Sequence, residues 1–260
     1  MRPIKVLVVE DSMVFRELLV QSLSKDPDIQ VVGTAKDPFE ARDAILEYKP
    51  DVMTLDVELP RMSGIEFLRK LIPQYPLPVV VISSLSDKVF DAMNAGAVDF
   101  VAKPSYTDRR QLENFVHNEL LVKIKIASTA KISKIKKKVV QEVQQNFTSK
   151  GKNLIIAIGA STGGTEAICS VMKDYGADLP GIVIVQHMPP GFTEMYAKRL
   201  DNQCRIRVKE ARTGDRVLPG TALIAQGGDK HMRVVNVGGN YQVEVVAGPK
   251  VNGHCPSVDV

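Results

Sequence analysis

Short runs of almost entirely apolar residues recur along the chain and alternate with longer amphipathic segments. In the first half of the chain these runs are IKVLVVE, IQVVGTA, DVMTLDV, PVVVISS and VDFVAKP. Strands that are apolar on both faces and separated by helix-length segments are typical of a parallel sheet covered by helices on both sides. The pattern predicts one doubly wound α/β domain, a (βα)5 unit, over residues 1–122.

The alternation stops near residue 122 and resumes at Asn153. Between Leu121 and Gln141 the chain has seven lysines and no acidic residue. We interpret residues 123–152 as a basic linker, helical at its start, that lets the flanking parts move relative to each other.

A second series of apolar runs begins with NLIIAIGAS and continues with GIVIVQH, TALIAQ and YQVEVVAG. Helical segments are expected at about 163–174 and near 193–200, between the longer runs. The pattern predicts a second doubly wound, parallel-sheet α/β domain over residues 153–260.

Composition narrows the class of protein. A chain of 260 residues with 44% hydrophobic and 25% charged residues is typical of a globular protein. The net charge of +4 is concentrated in the lysine-rich segment, so we expect no nucleic-acid partner. The three cysteines, Cys169, Cys204 and Cys255, are far apart and suggest neither a disulfide framework nor a zinc site. Without a signal-like start or a run of 18 apolar residues, we expect no membrane insertion and a cytoplasmic location.

Polar residues follow the strands of the first domain at the points where the strands end. They are Glu10, Asp11, Asp56, Ser83, Ser84 and Lys103. The carboxyl ends of parallel strands meet at one edge of a sheet, where ligands bind. Converging carboxylates repel each other unless a hard cation such as Mg²⁺ lies among them. The pattern predicts a carboxylate nucleophile at Asp56, a charge-neutralising lysine at Lys103 and a phosphate-binding hydroxyl at Ser83.

Each of these residues also has an ordinary structural explanation. Acidic residues at helix starts stabilise the helix dipole, and Asp11 with Ser12 could cap the first helix. The ordered placement of acids, serines and a lysine at one edge favours the functional interpretation over separate coincidences.

The motifs VVEDS, LDVELPRMSGIEFL, VVVISS and AGAVDFVAKP resemble the receiver domain of two-component response regulators. The resemblance implies a Mg²⁺ site at Glu10, Asp11 and Asp56, with Asp56 as phosphoacceptor. It also implies that Ser83, Phe100 and Lys103 are the switch residues, with a cis peptide bond before Pro104. Phe100 could equally be a core residue, because aromatic residues in strands usually are.

The stretch GASTG at 159–163 matches the pattern G-x-S-x-G between a predicted strand and a predicted helix. In this context Ser161 is a candidate nucleophile on a sharp turn, although it could also be a capping serine. A Walker-type phosphate loop needs a G-K-[ST] ending, and a dinucleotide site needs G-x-G-x-x-G, neither of which is present.

His187 ends the next predicted strand and is the candidate general base for Ser161, because neighbouring parallel strands bring their carboxyl ends together. His231 and His254 lack this strand-to-strand relation. We expect His117 to lie on the surface.

The motifs AIGASTGGTEAI, VIVQHMPPGFT, VKEARTGDRVLPGTALIA and HCPSVDV resemble the catalytic domain of the chemotaxis protein-glutamate methylesterase family, CheB. The resemblance implies a phosphorylation-activated hydrolase that demethylates glutamate methyl esters on chemoreceptors and deamidates glutamines there. Ser161 would be the nucleophile, His187 the general base and Thr162 an assisting residue. The implied partners are methyl-accepting chemoreceptors and a chemotaxis histidine kinase, and ester hydrolysis would need no cofactor. Phosphorylation at Asp56 would shift the receiver's packing against the catalytic domain and uncover the site.

The carboxylate that would orient the histidine is not assigned by the sequence. In the family it lies in a Gly-rich segment downstream of PSVDV, whereas the printed chain stops at Val260. We therefore interpret the chain as C-terminally truncated relative to the family, with an incomplete catalytic domain and an exposed sheet edge. An alternative is a catalytically impaired, receiver-bearing protein that acts by binding receptor or kinase. A transcription regulator is disfavoured because no helix-turn-helix follows the lysines.

Overall fold

The chain divides into two compact units, Met1–Lys137 and Lys138–Val260. The computed structural model describes residues 2–84, 86–104, 113–130 and 154–260. Most of the predicted linker, residues 131–152, lies outside the described residues.

The first unit is a five-stranded parallel sheet with strand order β2-β1-β3-β4-β5. Its elements are β1 (Ile4–Val9), α1 (Met13–Leu23), β2 (Ile29–Ala35), α2 (Pro38–Tyr48), β3 (Val52–Asp56), α3 (Gly64–Leu71), β4 (Val79–Ser83), α4 (Ser86–Asn94), β5 (Asp99–Ala102) and α5 (Leu121–Ala127). A π-helical turn, Val116–Leu120, leads directly into α5. This arrangement confirms the predicted doubly wound (βα)5 fold.

Side chains of capping residues start three of these helices. Ser12 accepts from the backbone N–H of Phe15 at α1, and Ser63 caps α3 in the same way. Asp37 accepts two backbone N–H bonds at the start of α2. Side-chain oxygens satisfy helix N–H groups that have no partner within the helix. Ser12 is therefore a helix cap, as expected from its position before the first helix.

The core of the first unit includes residues from α5. Leu121, Ile124 and Ala127 are buried in the same apolar cluster as Val6 and Phe115. The helical start predicted for the linker is therefore present, and its apolar face belongs to the first unit. The exact domain bounds, 1–122, 123–152 and 153–260, stay a prediction.

The second unit contains a four-stranded parallel sheet, with strand order β6-β7-β9-β8, and a separate antiparallel pair, β10-β11. Its elements are β6 (Ile155–Ala160), α6 (Gly164–Lys173), β7 (Gly181–Gln186), α7 (Phe192–Gln203), β8 (Arg207–Glu210), β9 (Thr221–Ile224), β10 (Lys230–Val237) and β11 (Asn240–Ala247). The predicted parallel α/β sheet is confirmed. No helix among the described residues is long and apolar enough to cross a membrane.

Two strands of the second unit were not predicted. β8 reads RVKE, which is too short and too charged to give an apolar run. β10 pairs with β11 across Gly238 and Gly239, both at positive φ, and this two-residue Gly-Gly turn is a known hairpin signal. Met232 and Val243 of the hairpin pack against Val217 and Leu223. The hairpin adds an antiparallel element to the expected parallel architecture.

Candidate active sites

Three carboxylates meet at the carboxyl edge of the first sheet. Each of Glu10, Asp11 and Asp56 offers an oxygen, and these oxygens lie within 4.8 Å of one another. Glu10 is 1% exposed and Asp56 is 3% exposed, while Asp11 is exposed to solvent. The structure thus brings together the three residues for which a metal site was predicted.

Lys103 joins this cluster from the end of β5. Its Nζ donates to both oxygens of Glu10, at 2.9 and 3.0 Å, and to Oδ2 of Asp56 at 2.7 Å. The ammonium also lies 4.7 Å from the centre of the Phe15 ring. One cation therefore contacts two of the three acids, and the role of Lys103 toward a phosphoryl group stays a prediction.

The electrostatics of the cluster favour an additional positive charge. Burial raises the pKa of Glu10 to about 7, and the charge of Asp56 acts in the same direction, against the hydrogen bond from Lys103. Burial lowers the pKa of Lys103, but the hydrogen bonds and charges of Asp56 and Glu10 outweigh it and hold this pKa above its usual value. Carboxylate oxygens are the ligands that Mg²⁺ prefers. The three acids fit Mg²⁺, because a divalent cation would favour the ionised form of Glu10, which burial and the charge of Asp56 disfavour.

The loop after β3 holds Asp56 closely. Its Oδ1 accepts from the backbone N–H of Glu58 at 3.0 Å. Gly64 begins α3 against the strand end, and a Cβ at this position would lie 2.2 Å from the carbonyl oxygen of Asp56. Close contact with the carbonyl of Asp56, rather than the backbone conformation of residue 64, therefore explains why this residue is glycine.

Ser83 lies on β4, which is next to β3, and Phe100 lies on β5 at the edge of the sheet. Ser83 is fully buried at the end of β4, and its carbonyl accepts from the backbone N–H of Lys103 at 2.8 Å. Phe100 is 2% exposed and packs edge-on against Phe90, with ring centres 6.3 Å apart. Lys123 of α5 donates to the Phe100 carbonyl at 2.6 Å. Phe100 thus occupies a core position, and its switch role stays a prediction.

The cis peptide bond implied before Pro104 is not found. Among the described residues the cis bond precedes Pro256 instead.

In the second unit, the hydroxyl of Ser161 and the imidazole of His187 lie within hydrogen-bond distance. Ser161 Oγ is 3.2 Å from His187 Nδ1. β6 and β7 pair in parallel with Ala160 opposite Gln186, and the N–H of His187 donates to the Ala160 carbonyl at 3.2 Å. The parallel register thus brings the two strand ends together, as the sequence pattern predicted.

Glycines shape the turn that exposes Ser161. The N–H of Gly164 donates to the Ser161 carbonyl at 2.8 Å and closes the turn. Gly163 adopts φ +76°, a left-handed conformation that favours glycine. A Cβ on Gly159 would lie 2.4 Å from Cγ1 of Val258. Ser161 itself is exposed, and Thr162 beside it is half-buried.

His254 reaches the same site, although the sequence analysis set it apart from Ser161. Its ring stacks on that of His187, with centres 3.8 Å apart and planes 7° from parallel. His254 Nδ1 lies 2.9 Å from the Asn252 carbonyl, which orients the ring, and Asn252 has φ +49°. The available signal was that His254 opens HCPSVDV, one of the motifs that carry the family resemblance.

His231 has a structural environment. It is 3% exposed, its Nδ1 accepts from the N–H of Ser257 at 3.2 Å, and its Nε2 lies 2.9 Å from the carbonyl of Pro249. Both ring nitrogens are therefore satisfied by backbone groups. His117 is exposed on the π-helical turn, as expected.

Acidic residues downstream of His187 have local partners. Asp201 accepts from the N–H of Val208, Asp215 from the N–H of Arg212, and Asp259 from the side chain of Asn252. None of these contacts orients His187, so the carboxylate of a triad stays unassigned.

The first unit has the architecture of a response-regulator receiver, and the second is an α/β domain built around a serine and a histidine. Models of known families divide the chain in the same way. The response regulator receiver domain matches residues 6–117, and the CheB methylesterase family matches residues 156–260.

Curated relatives match the whole chain. A protein-glutamate methylesterase/protein-glutamine glutaminase of Syntrophomonas wolfei is 56% identical over 260 residues, covering 100% of this chain and 75% of the relative. Proteins of the same name from Syntrophotalea carbinolica and Salmonella typhimurium are 52% and 44% identical, with 100% of this chain and 76% and 75% of the relatives covered. The chain belongs to the protein-glutamate methylesterase/protein-glutamine glutaminase family. It spans about three quarters of the length of these relatives.

Proposed function

We propose that the second unit hydrolyses methyl esters of glutamate side chains on chemoreceptors and deamidates glutamine side chains there, under the control of phosphorylation of the first unit. The observation that carries this proposal is the 3.2 Å approach of Ser161 Oγ to His187 Nδ1 at neighbouring strand ends. Family membership supplies the substrate class.

The proposed reaction is acyl transfer through Ser161. Neutral His187 carries its proton on Nε2 and accepts the Ser161 proton on Nδ1, while Ser161 Oγ attacks the side-chain carbonyl carbon. His187 then returns the proton to the leaving group, which departs as methanol from an ester or as ammonia from an amide. Water, deprotonated by the same imidazole, cleaves the acyl-serine and releases glutamate. Both activities share one acyl-enzyme, so one site accounts for both.

The start of α6 supports the negative charge that this reaction develops. α6 has ten residues and begins at Gly164, directly after the turn that carries Ser161. The N-terminal end of a helix carries a partial positive charge and unsatisfied N–H groups. These groups favour an oxyanion formed at a carbonyl attacked by Ser161. The role of Thr162 rests on its position in this turn.

In the first unit we propose that Asp56 is the phosphoacceptor, with Glu10, Asp11 and Asp56 holding Mg²⁺. When bound, this ion neutralises charge on the phosphoryl group during transfer. Asp56 supplies the nucleophilic oxygen. Lys103, already within 2.7 Å of Asp56, compensates the added negative charge, and Ser83 and Phe100 act as the switch. The phosphodonor we propose is a chemotaxis histidine kinase.

The hydrolase proposal is tested by methanol release from methyl-esterified chemoreceptor fragments. We expect the wild-type chain to release methanol and the rate of release to fall by at least about 10³-fold in Ser161→Ala. Ser170→Ala is the matched control, because Ser170 is exposed on the neighbouring helix α6. A chain that binds the receptor fragment but releases no methanol would refute the proposal and favour the binding protein without catalysis.

The regulatory proposal is tested with acetyl phosphate as phosphodonor. We expect Mg²⁺-dependent phosphorylation and faster methanol release, both absent in Asp56→Asn. Asp43→Asn is the control, because Asp43 is an exposed acid on α2. Phosphorylation that persists in Asp56→Asn would refute the assignment of the phosphoacceptor.

A further inference from the structure

Gln186 lies between the candidate nucleophile and the candidate base and contacts the backbone of both. It is the last residue of β7 and is 3% exposed. Its Nε2 donates to the carbonyl of Ser161 at 3.0 Å and to the carbonyl of His187 at 3.3 Å. One carboxamide therefore joins the two residues whose side chains must meet.

The orientation of this carboxamide follows from its partners. Both partners are carbonyl oxygens, so exchanging the amide oxygen and nitrogen would place an acceptor against two acceptors. The Ser161 carbonyl also accepts the N–H of Gly164 at 2.8 Å. Two donors thus hold the Ser161 carbonyl, one from its own turn and one from the strand that leads to His187.

The absence of a side chain at Gly164 leaves room for the carboxamide of Gln186. A Cβ on Gly164 would lie 2.1 Å from Oε1 of Gln186 and 2.6 Å from the Cβ of Ala160. Gly164 is not one of the glycines at positive φ, so close contact with Gln186 and Ala160, rather than backbone conformation, requires glycine here.

The environment of the Gln186 carboxamide oxygen, Oε1, indicates that the side chain does more than stabilise the fold. Oε1 of Gln186 is buried and has no hydrogen-bond partner among the described residues. A buried acceptor without a partner is destabilising, whereas an apolar side chain of the same length would avoid this cost. The side chain therefore combines two well-placed donor bonds with an unfavourable acceptor, which is expected where function retains a polar group.

We propose that Gln186 is a positioning residue, whose carboxamide holds the Ser161 turn and His187 at the separation that proton transfer requires. This inference rests on the proposed hydrolase function of the same pair. Gln186 acts through the backbone of its two neighbours and touches no reacting atom. Its loss should therefore lower the rate of the chemical step while leaving substrate binding intact.

The test replaces Gln186 with two side chains of similar length in the full chain. Gln186→Met removes both donors and the buried acceptor, and Gln186→Glu replaces the donors with an anion that faces two carbonyl oxygens. Gln203→Met makes the same chemical change at an exposed position at the end of α7. Each protein is compared by kcat and KM for methanol release from methyl-esterified receptor fragments, by the pH profile of kcat, and by thermal unfolding.

We expect Gln186→Met to lose about 10²-fold in kcat, since misplacement by about 1 Å costs this much, with KM and melting temperature close to the wild-type values. Gln186→Glu should be slower than Gln186→Met at neutral pH, because the anion repels both carbonyls. The kcat of Gln186→Met should be lower than that of wild type at every pH. The kcat of Gln203→Met should resemble that of wild type.

Folded Gln186 variants with wild-type kcat would overturn the inference. Failure of both variants to fold would also overturn it, because Gln186 would then be required for stability rather than positioning. A wild-type chain that releases no methanol is a different result, since it refutes the proposed function itself.

Discussion

The close approach of Val258 to Gly159 makes the first glycine of the G-x-S-x-G motif a test of packing at the proposed active site. A Cβ on Gly159 would lie 2.4 Å from Cγ1 and 3.0 Å from Cγ2 of Val258. Carbon atoms pack at about 3.5–4.0 Å, so Gly159→Ala must separate the two residues by about 1 Å. Gly159 is two residues before Ser161, so this displacement reaches the turn that carries the proposed nucleophile.

The expected size of the effect follows from the exposure of Val258. Adding a methyl group to a packed contact costs about 1–3 kcal/mol. Val258 is 50% exposed and can yield towards solvent, so we expect the lower part of this range, about 1–1.5 kcal/mol. Val258→Ala alone removes two methyl groups that are half in contact with protein, which amounts to about 0.8 kcal/mol. In the double variant the clash is absent, and the added cost of Gly159→Ala should fall to a few tenths of a kcal/mol.

Urea unfolding of the four proteins measures the coupling, and methanol release reports the position of Ser161. We expect Gly159→Ala to be slower than wild type and the double variant to regain most of the lost rate. If Gly159→Ala were equally destabilising with and without Val258→Ala, contact with Val258 would not be the reason for glycine at this position.

Three further predictions concern both sites. Gly64→Ala should lower the free energy of unfolding by about 2–3 kcal/mol and impair phosphorylation, because its Cβ would meet the Asp56 carbonyl at 2.2 Å; urea unfolding and acetyl phosphate labelling measure these effects, and wild-type values would refute the contact. The pKa of Glu10 is raised from 4.5 to about 7, so protonated Glu10 contributes stability that is present below about pH 4.5 and lost as pH rises through 7. The free energy of unfolding of Glu10→Gln at pH 8 in chelator should therefore be about 1–2 kcal/mol higher than that of wild type, because the gain is reduced by the weaker hydrogen-bond partner that glutamine offers Lys103. Equal free energies of unfolding at pH 8 would contradict this. His254→Ala should lower kcat about tenfold by releasing the His187 ring while His254→Phe keeps the stack, and equal rates in the two variants would show that stacking has no role.

The features of the fold and of the candidate sites that could be predicted from the sequence share a local signal. The strands of both parallel sheets are apolar runs, and residues at their ends meet because parallel strands align their carboxyl ends. The acidic cluster with Lys103 and the approach of Ser161 to His187 follow from this rule alone. The domain class was predictable for the same reason.

The features that could not be predicted from the sequence depend on contacts between distant segments. His254 reaches His187 through a loop after the β10-β11 hairpin, with Asn252 in a left-handed conformation that no periodic pattern encodes. Gln186 was visible as a polar residue at the end of an apolar strand, but its two carbonyl partners are defined only by the folded turn. β8 was missed because alternating charges interrupt its four residues.

The pairing of Ser161 with His187 is tested most directly by phosphonylation with a fluorophosphonate, which reacts with activated serines. After brief labelling, peptide mass spectrometry identifies the modified residue and its rate of modification. The account predicts modification of Ser161 in the wild-type chain and a rate lower by at least about 10³-fold in His187→Gln. Modification of a different serine, or an unchanged rate in His187→Gln, would contradict it.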